Sequence, residues 1–234
     1  MIPVLPSMLP TDNLPILHSP LLGREREVEA LRALLARPDV PLVTLTGPGG
    51  TGKTRLALHV AAALRGSFPG GVWFVDLAPL RNPALVVPTI AHTVGVSVGA
   101  ATPLQALQDA LRPRAVLLVL DNVEQVIEAS PAVAALLAAC PDLKILATSR
   151  APLRISPEHH LPLGPLAVPA PRATPEVTEL ERYGAIRLFT VRAQAADPAF
   201  VLDAMTAPLL VEICRQLDGL PLAIELAAAR TRLL

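Results

Sequence analysis

Apolar positions along the chain change their period, and the changes divide it into elements. From Glu25 onward, Val28, Leu31, Leu34 and Leu35 fall on one face of a helix that Pro38 ends. "PLVTLT" (41–46) is a short apolar run and reads as a strand, with a helix from Thr54 to Leu64 behind it. "GVWFVDL" (71–77) is the next strand, followed by a helix expected to break near Pro88. Thr102 and Pro103 supply a capping residue and a first-position proline for a helix ending near Pro113. A buried strand at 115–120 comes next. Ser130 and Pro131 then open a helix through Ala139, and "LKILATS" (143–149) is a further strand. Strands apolar on both faces, alternating with helices, predict an α/β fold with a parallel sheet covered on each side.

Outside this alternation the pattern changes twice. Residues 1–20 are proline-rich and aperiodic, and read as a loosely ordered lead-in. "GPLAVPAPRATPE" (164–176) carries Pro165, Pro169, Pro171 and Pro175, which spoil any regular element and mark a linker. Beyond it, amphipathic helices are expected from Glu179 to about Ala196, from Ala207 to Leu217 and from Pro221 to the end. The expected domains are therefore an α/β domain at 21–165, a linker at 166–178 and a helical subdomain at 179–234.

Composition narrows the classes. Apolar residues make up 52% and charged residues 17% of 234, enough for one substantial core and unlike a disordered chain. A net charge of zero offers no overall footprint for nucleic acid or an anionic membrane. Cys140 and Cys214 lack a metal or redox spacing, the start is a poor signal peptide, and apolar runs are too short to span a bilayer. These features lead to the expectation of a cytoplasmic protein without a membrane partner.

The strongest chemical signal is "TLTGPGGTGKTRLAL". Gly47, Gly52, Lys53 and Thr54 have the phosphate-loop spacing, directly after a strand and opening a helix. Glycines at Gly47, Gly49, Gly50 and Gly52, with Pro48 and Thr51 between them, let backbone N–H groups curl around phosphate oxygens. The helix start that carries Lys53, Thr54 and Arg55 adds positive potential beneath them. Lys53 can reach the β- and γ-phosphates, and the Thr54 hydroxyl can ligate Mg²⁺. The expected ligands are ATP or ADP with Mg²⁺.

Asp121 ends the "VLLVL" strand. An aspartate there is commonly a cap or loop residue, but a phosphate loop upstream favours a second Mg²⁺ anchor. Asn122, where many ATPases place an acid, cannot act as a base. Glu124 is the nearest acid, and reads equally well as a first-turn helix residue. Arg150 ends "ILATSR". If its strand neighbours the phosphate-loop strand, the guanidinium can contact a γ-phosphate and tell ATP from ADP; otherwise it is a solvated strand end. In "LDGLPLAIELA", Gly219 closes one helix and Pro221 starts the next.

Together these segments resemble the STAND class of signal-transduction ATPases, in particular the NB-ARC-like module of bacterial LuxR/AfsR-type transcriptional regulators. The match runs in order through "LLGREREVEALRALL", "TLTGPGGTGKTRLAL", "GVWFVDLAPL", "LLVLDN", "ILATSR" and "GLPLAIELAA". The resemblance implies a P-loop fold with strand order 5-1-4-3-2 and a γ-phosphate sensor at Arg150. It places Gly23 and Arg24 on the adenine or ribose side and Pro221 near the base. It also implies a switch, closed with ADP and open to self-association with ATP, reset by slow hydrolysis. Lys53, Asp121 and Arg150 are the residues expected to carry that hydrolysis, with its base unassigned. Relatives usually continue into a winged helix, sensor repeats and a DNA-binding or other effector domain. This chain ends just after the "GLPL" helix and shows no DNA-binding segment, so the reading expects an excised module or a partner chain. The competing readings are a replication-loader type of ATPase, a small-molecule kinase, or a nucleotide-binding remnant that switches nothing.

Overall fold

A computed structural model describes residues 12–170 and 176–231. The chain runs through α1 (Glu25–Ala36), β1 (Leu42–Thr46), α2 (Lys53–Ala63), β2 (Val72–Asp76), α3 (Val86–Thr93) and α4 (Pro103–Leu111). It continues through β3 (Val116–Asp121), α5 (Ser130–Ala139), β4 (Leu143–Ser149) and β5 (Glu158–Pro162). The last helices are α6 (Val177–Leu180), α7 (Gly184–Ala196), α8 (Ala207–Gln216) and α9 (Pro221–Ala228). Two compact units result. One takes residues up to 18, 31–46 and 57–161; the other takes 19–30, 47–56 and 162 onward.

In the first unit the five strands form one sheet in the order β2-β3-β4-β1-β5, the order that the resemblance implies. β2 pairs with β3, β3 with β4 and β4 with β1, all parallel. Every residue of β3 is buried, because β3 is flanked by strands and covered by helices. Leu118, Leu120, Ile145 and Leu42 join Ile90, Leu107, Val133 and Leu136 from the helices in one apolar cluster. Thr102 caps α4 with a full capping box, Gln105 reaching back to its backbone, as the Thr-Pro start predicts.

Three sequence expectations need correction. α3 runs through Pro88 unbroken, because Pro88 falls in its first turn, where no N–H is needed. The segment from Glu179 to Ala196 is two helices, not one, separated around Tyr183 in an extended conformation. The lead-in is docked where it is described: the Asn13 side chain exchanges hydrogen bonds with Phe74 N–H and C=O at 2.6 and 2.8 Å. That pairing covers the open edge of β2. Residues 1–11, the middle of the linker at 171–175 and the last three residues lie outside the described ones.

The second unit has its own apolar cluster, built from Leu166, Ile186, Phe189, Leu210, Cys214 and Ile224 among others. Burial pushes the Cys214 thiol up to about 12. Gly23, at φ +65°, packs backbone to backbone on Gly184: a Cβ on Gly23 would stand 2.5 Å from the Gly184 Cα. This close approach explains why α7 begins at a glycine. No helix among the described residues is long and apolar enough to cross a membrane.

Candidate functional site

The loop that leaves β1 at Thr46 belongs to the second unit. Gly47, Gly50 and Gly52 have φ of +150°, +80° and +90°, conformations that side chains resist, and α2 starts at Lys53 directly behind them. A Cβ on Gly47 would stand 2.3 Å from the Leu163 carbonyl oxygen, whereas one on Gly52 would meet nothing within 4 Å. The loop is thus tight at its entry and open at the helix start, as a cradle for phosphate oxygens requires. The Lys53 ammonium folds into the loop, donating to the carbonyls of Gly47 and Pro48 at 2.8 and 2.9 Å. Thr51 is buried and donates its hydroxyl to the Pro48 carbonyl at 3.0 Å. Thr54, the second residue of α2, is half-buried.

Two further segments of this unit hold the loop. Arg24 is only 4% exposed, and its guanidinium donates to the carbonyls of Thr51 and Gly164 at 3.2 and 2.6 Å and to Glu27 at 2.9 Å. On the other segment, the Leu222 N–H at the start of α9 donates to the Gly50 carbonyl at 3.2 Å. The orphan donor of a helix start is thereby satisfied by the phosphate loop itself.

Arg55 lies in a charge cluster. It donates to Glu225 of α9 at 3.1 Å, to the Ser19 and Pro20 carbonyls at 3.0 and 2.9 Å, and to the Ser19 hydroxyl. Arg192 of α7 shares both partners, reaching Glu225 at 2.7 Å and the Ser19 hydroxyl at 3.1 Å. Sequence reasoning missed Ser19, Arg192 and Glu225, since no local spacing links residues so far apart.

Pro221 does share a cleft with Arg24, Gly52 and Arg55, together with Leu21 and Leu22. Its volume is about 30 Å³, far below the roughly 300–1,000 Å³ of small-molecule sites. A base enters there only if α9 and residues 20–24 part. A second cavity, of about 470 Å³, is lined by Gly23 and Arg24 with Arg26, Arg182 and Tyr183, and by neither Pro221 nor the phosphate loop.

The first unit carries the other expected residues on the C-terminal edge of its sheet. Asp121 is 5% exposed, and Thr148 of β4 donates its hydroxyl to Asp121 Oδ1 at 2.5 Å. The same hydroxyl accepts the Asn122 N–H at 3.1 Å, so Thr148 fixes the turn that follows β3. Asn122 has φ 62° and ψ 43°, a left-handed conformation that asparagine tolerates better than most side chains. A 3-10 stretch, Val123–Ala129, starts right after it. Thr46, the residue before Gly47, is paired with Ser149, the residue before Arg150. The condition set for the sensor reading, a neighbouring strand, therefore holds. Arg150 Nε lies 3.4 Å from Glu124 Oε1.

The stretch after Arg150 turns back under one carboxylate. Glu158, its side chain 2% exposed, accepts the N–H groups of Leu153 and Arg154, each at 2.8 Å. Burial pushes this carboxyl up, but the hydrogen bonds it accepts outweigh burial and leave it below the usual range.

Comparison with known proteins agrees with this geometry. The profile of the AAA ATPase domain matches residues 20–155, more than half of the chain. A Mycobacterium tuberculosis protein named as an HTH-type transcriptional regulator is 43% identical over 207 residues, covering 86% of this chain and 21% of its own length. The regulatory protein AfsR of Streptomyces griseus is 31% identical over 156 residues, covering 59% of this chain and 15% of its own. The chain thus spans about a fifth of the length of the first of these relatives. Among solved structures, a Walker-type ATPase of Pyrococcus abyssi superposes with a TM-score of 0.58 at 15% identity, covering 90% of this chain and 67% of its own. Cdc6p of Pyrobaculum aerophilum follows at 0.54 and 17%, covering 79% and 57%. Both likenesses concern the fold.

Proposed function

The chain belongs to the AAA ATPase domain family, and from that premise we propose that it is an ATP/ADP-binding switch module with slow, Mg²⁺-dependent hydrolysis. It would serve a longer signal-transduction or transcriptional regulator of the STAND, NB-ARC-like kind. In this reading residues 47–55 hold the phosphates, with Lys53 as their cation. Thr54 and Asp121 ligate Mg²⁺, a hard ion that takes oxygen donors and completes its shell with phosphate oxygens and water. Arg150 recognises the γ-phosphate. Gly23, Arg24 and Pro221 lie on the base and ribose side. Bound Mg²⁺ would neutralise charge that develops on the transferred phosphoryl group.

The observation that carries the reading is the hydrogen bond from Leu222 to the Gly50 carbonyl, 3.2 Å long. It attaches the first turn of α9 to the loop that would grip phosphate, and the Arg55–Glu225 pair at 3.1 Å makes a second attachment. Entry of a base requires the cleft at Pro221 to widen, which moves α9. Nucleotide occupancy is thereby translated into helix position, as a switch demands. Longer relatives, one named as an HTH-type transcriptional regulator and one as a regulatory protein, support an output in transcription through other domains; self-association in the ATP state belongs to the same proposal.

Calorimetry and single-turnover assays test the reading. Lys53→Ala should weaken ATP binding on the order of 10- to 100-fold, the worth of a charge-assisted hydrogen bond. Arg150→Ala should narrow the difference between ATP and ADP while sparing ADP. Unchanged ATP affinity in Lys53→Ala would sink the loop assignment. Rapid turnover stimulated by DNA, with no change of oligomeric state, would favour the replication-loader alternative.

A further inference from the structure

We propose that Glu124 is the general base for nucleotide hydrolysis, and that its ion pair with Arg150 holds it idle until a triphosphate arrives. The inference rests on the switch reading above, in which Arg150 meets the γ-phosphate. Asn122 occupies the place directly after Asp121 and cannot take a proton. Its left-handed backbone turns the chain into the 3-10 stretch that carries Glu124. The Glu124 side chain is 15% exposed, with Oε1 3.4 Å from Arg150 Nε. Its other oxygen, Oε2, is buried and has no hydrogen-bond partner among the described residues.

A helix-start acid explains a negative charge at this position, but not a buried carboxylate oxygen left without a donor. Such an oxygen is costly in a purely structural residue, and a catalytic role is one of the few things that account for it. The other acid on this sheet edge, Asp76, pairs in register with Asp121, but its Oδ1 accepts the Ala78 N–H at 2.9 Å in a local turn. Asp76 is exposed to solvent and tied to its own loop. Glu124 is not.

The ion pair sets the order of events. Arg150 and Glu124 are in contact, so an anion that draws the guanidinium lies within a water's reach of the carboxylate. When the γ-phosphate takes Arg150, Glu124 loses its partner and is free to accept a proton. The water oxygen forms a bond to the γ-phosphorus while the bond to the β–γ bridging oxygen breaks, its electron pair remaining on ADP. The water proton passes to Glu124, which returns it to the released phosphate or to solvent. ADP cannot trigger the sequence because it lacks the group that displaces Arg150.

The test uses the full chain with Mg²⁺ and ATP, comparing the parent with Glu124→Gln and Glu124→Asp by calorimetry and single-turnover hydrolysis across pH. Glu124→Gln should bind ATP within about threefold of the parent and hydrolyse it about 10²- to 10⁴-fold more slowly. The fall of the parent rate on acidification should vanish in this variant. Hydrolysis by Glu124→Gln within threefold of the parent overturns the proposal, and so does a parent that binds ATP without hydrolysing it. Should the glutamine variant misfold, the aspartate variant decides: its shorter reach should slow the rate at least about tenfold, and a parental rate with a parental pH profile counts against the role. A parent that binds no nucleotide defeats the switch reading instead, a distinct result.

Discussion

Leu117, Leu118, Val119 and Leu120 in the sheet unit and Arg24, Arg55, Arg192 and Glu225 in the helical unit do comparable jobs with opposite chemistry. The strand residues are buried from water and make a rigid platform whose edge presents Asp121 and Arg150. Dispersion and apolar burial hold that platform, and no small anion competes with them. The helical unit also has an apolar cluster, but the phosphate loop is tied to it by polar contacts: three arginines, one glutamate and a helix-start N–H. Such contacts answer to charge. The loop that would receive an anionic ligand is fastened by the interactions an anion perturbs most, while Asp121 and Arg150, proposed above for the metal and the γ-phosphate, stand on the part that a ligand perturbs least.

Three experiments press on this contrast, beginning with the largest effect. Leu118→Ala, at a fully buried position of the interior strand β3, should cost about 2–5 kcal/mol in urea unfolding; a loss under about 1 kcal/mol would mean the platform is plastic. Arg24→Ala should cost about 1–3 kcal/mol, because it strands the buried Thr51 carbonyl and removes the bond to Gly164. Arg24→Lys should fail to restore it, since a point charge cannot span a fork of acceptors. Recovery by lysine would show that charge alone secures the loop.

The third experiment is a pH titration. The Glu158 carboxyl, pushed up by burial but held down more strongly by the hydrogen bonds it accepts, has a folded value below its unfolded one. A depressed carboxyl stabilises above its unfolded value, and the contribution disappears as pH falls through the folded value. Glu158→Gln should therefore cost on the order of 1 kcal/mol at neutral pH, and the difference from the parent should shrink as pH drops below roughly 4.5. A difference that stays constant down the acid range would separate the Arg150 turn from this carboxylate.

The same contrast explains what could be read from the amino acids. Buried strands such as "VLLVLD" and "LKILATS" announce themselves because both faces are apolar, and the glycines of the phosphate loop keep a fixed spacing. The strand Glu158–Pro162 escaped, because it lies at the sheet edge and its composition, "EHHLP", is that of a loop. Thr148 was hidden inside "LATS", with nothing local to reveal that its hydroxyl serves Asp121. Arg192 and Glu225 are 33 positions apart, and Arg55 and Glu225 170, distances over which no motif operates. Arg24 was placed on the ligand side by resemblance alone, and nothing local reveals that its guanidinium also braces the Thr51 and Gly164 carbonyls.

Peptide planarity gives the bond between Leu222 and Gly50 a further meaning. In a trans unit the carbonyl oxygen and the following amide hydrogen point to opposite sides, and the chain contains no cis peptide among its described residues. With the Gly50 oxygen turned to α9, the Thr51 amide must face the reverse way; with the Thr51 oxygen turned to Arg24, so must the Gly52 amide. Two hydrogens are thus aimed by what grips the oxygens behind them, and shifting either grip would swivel the lining of the cradle without touching a single residue in it.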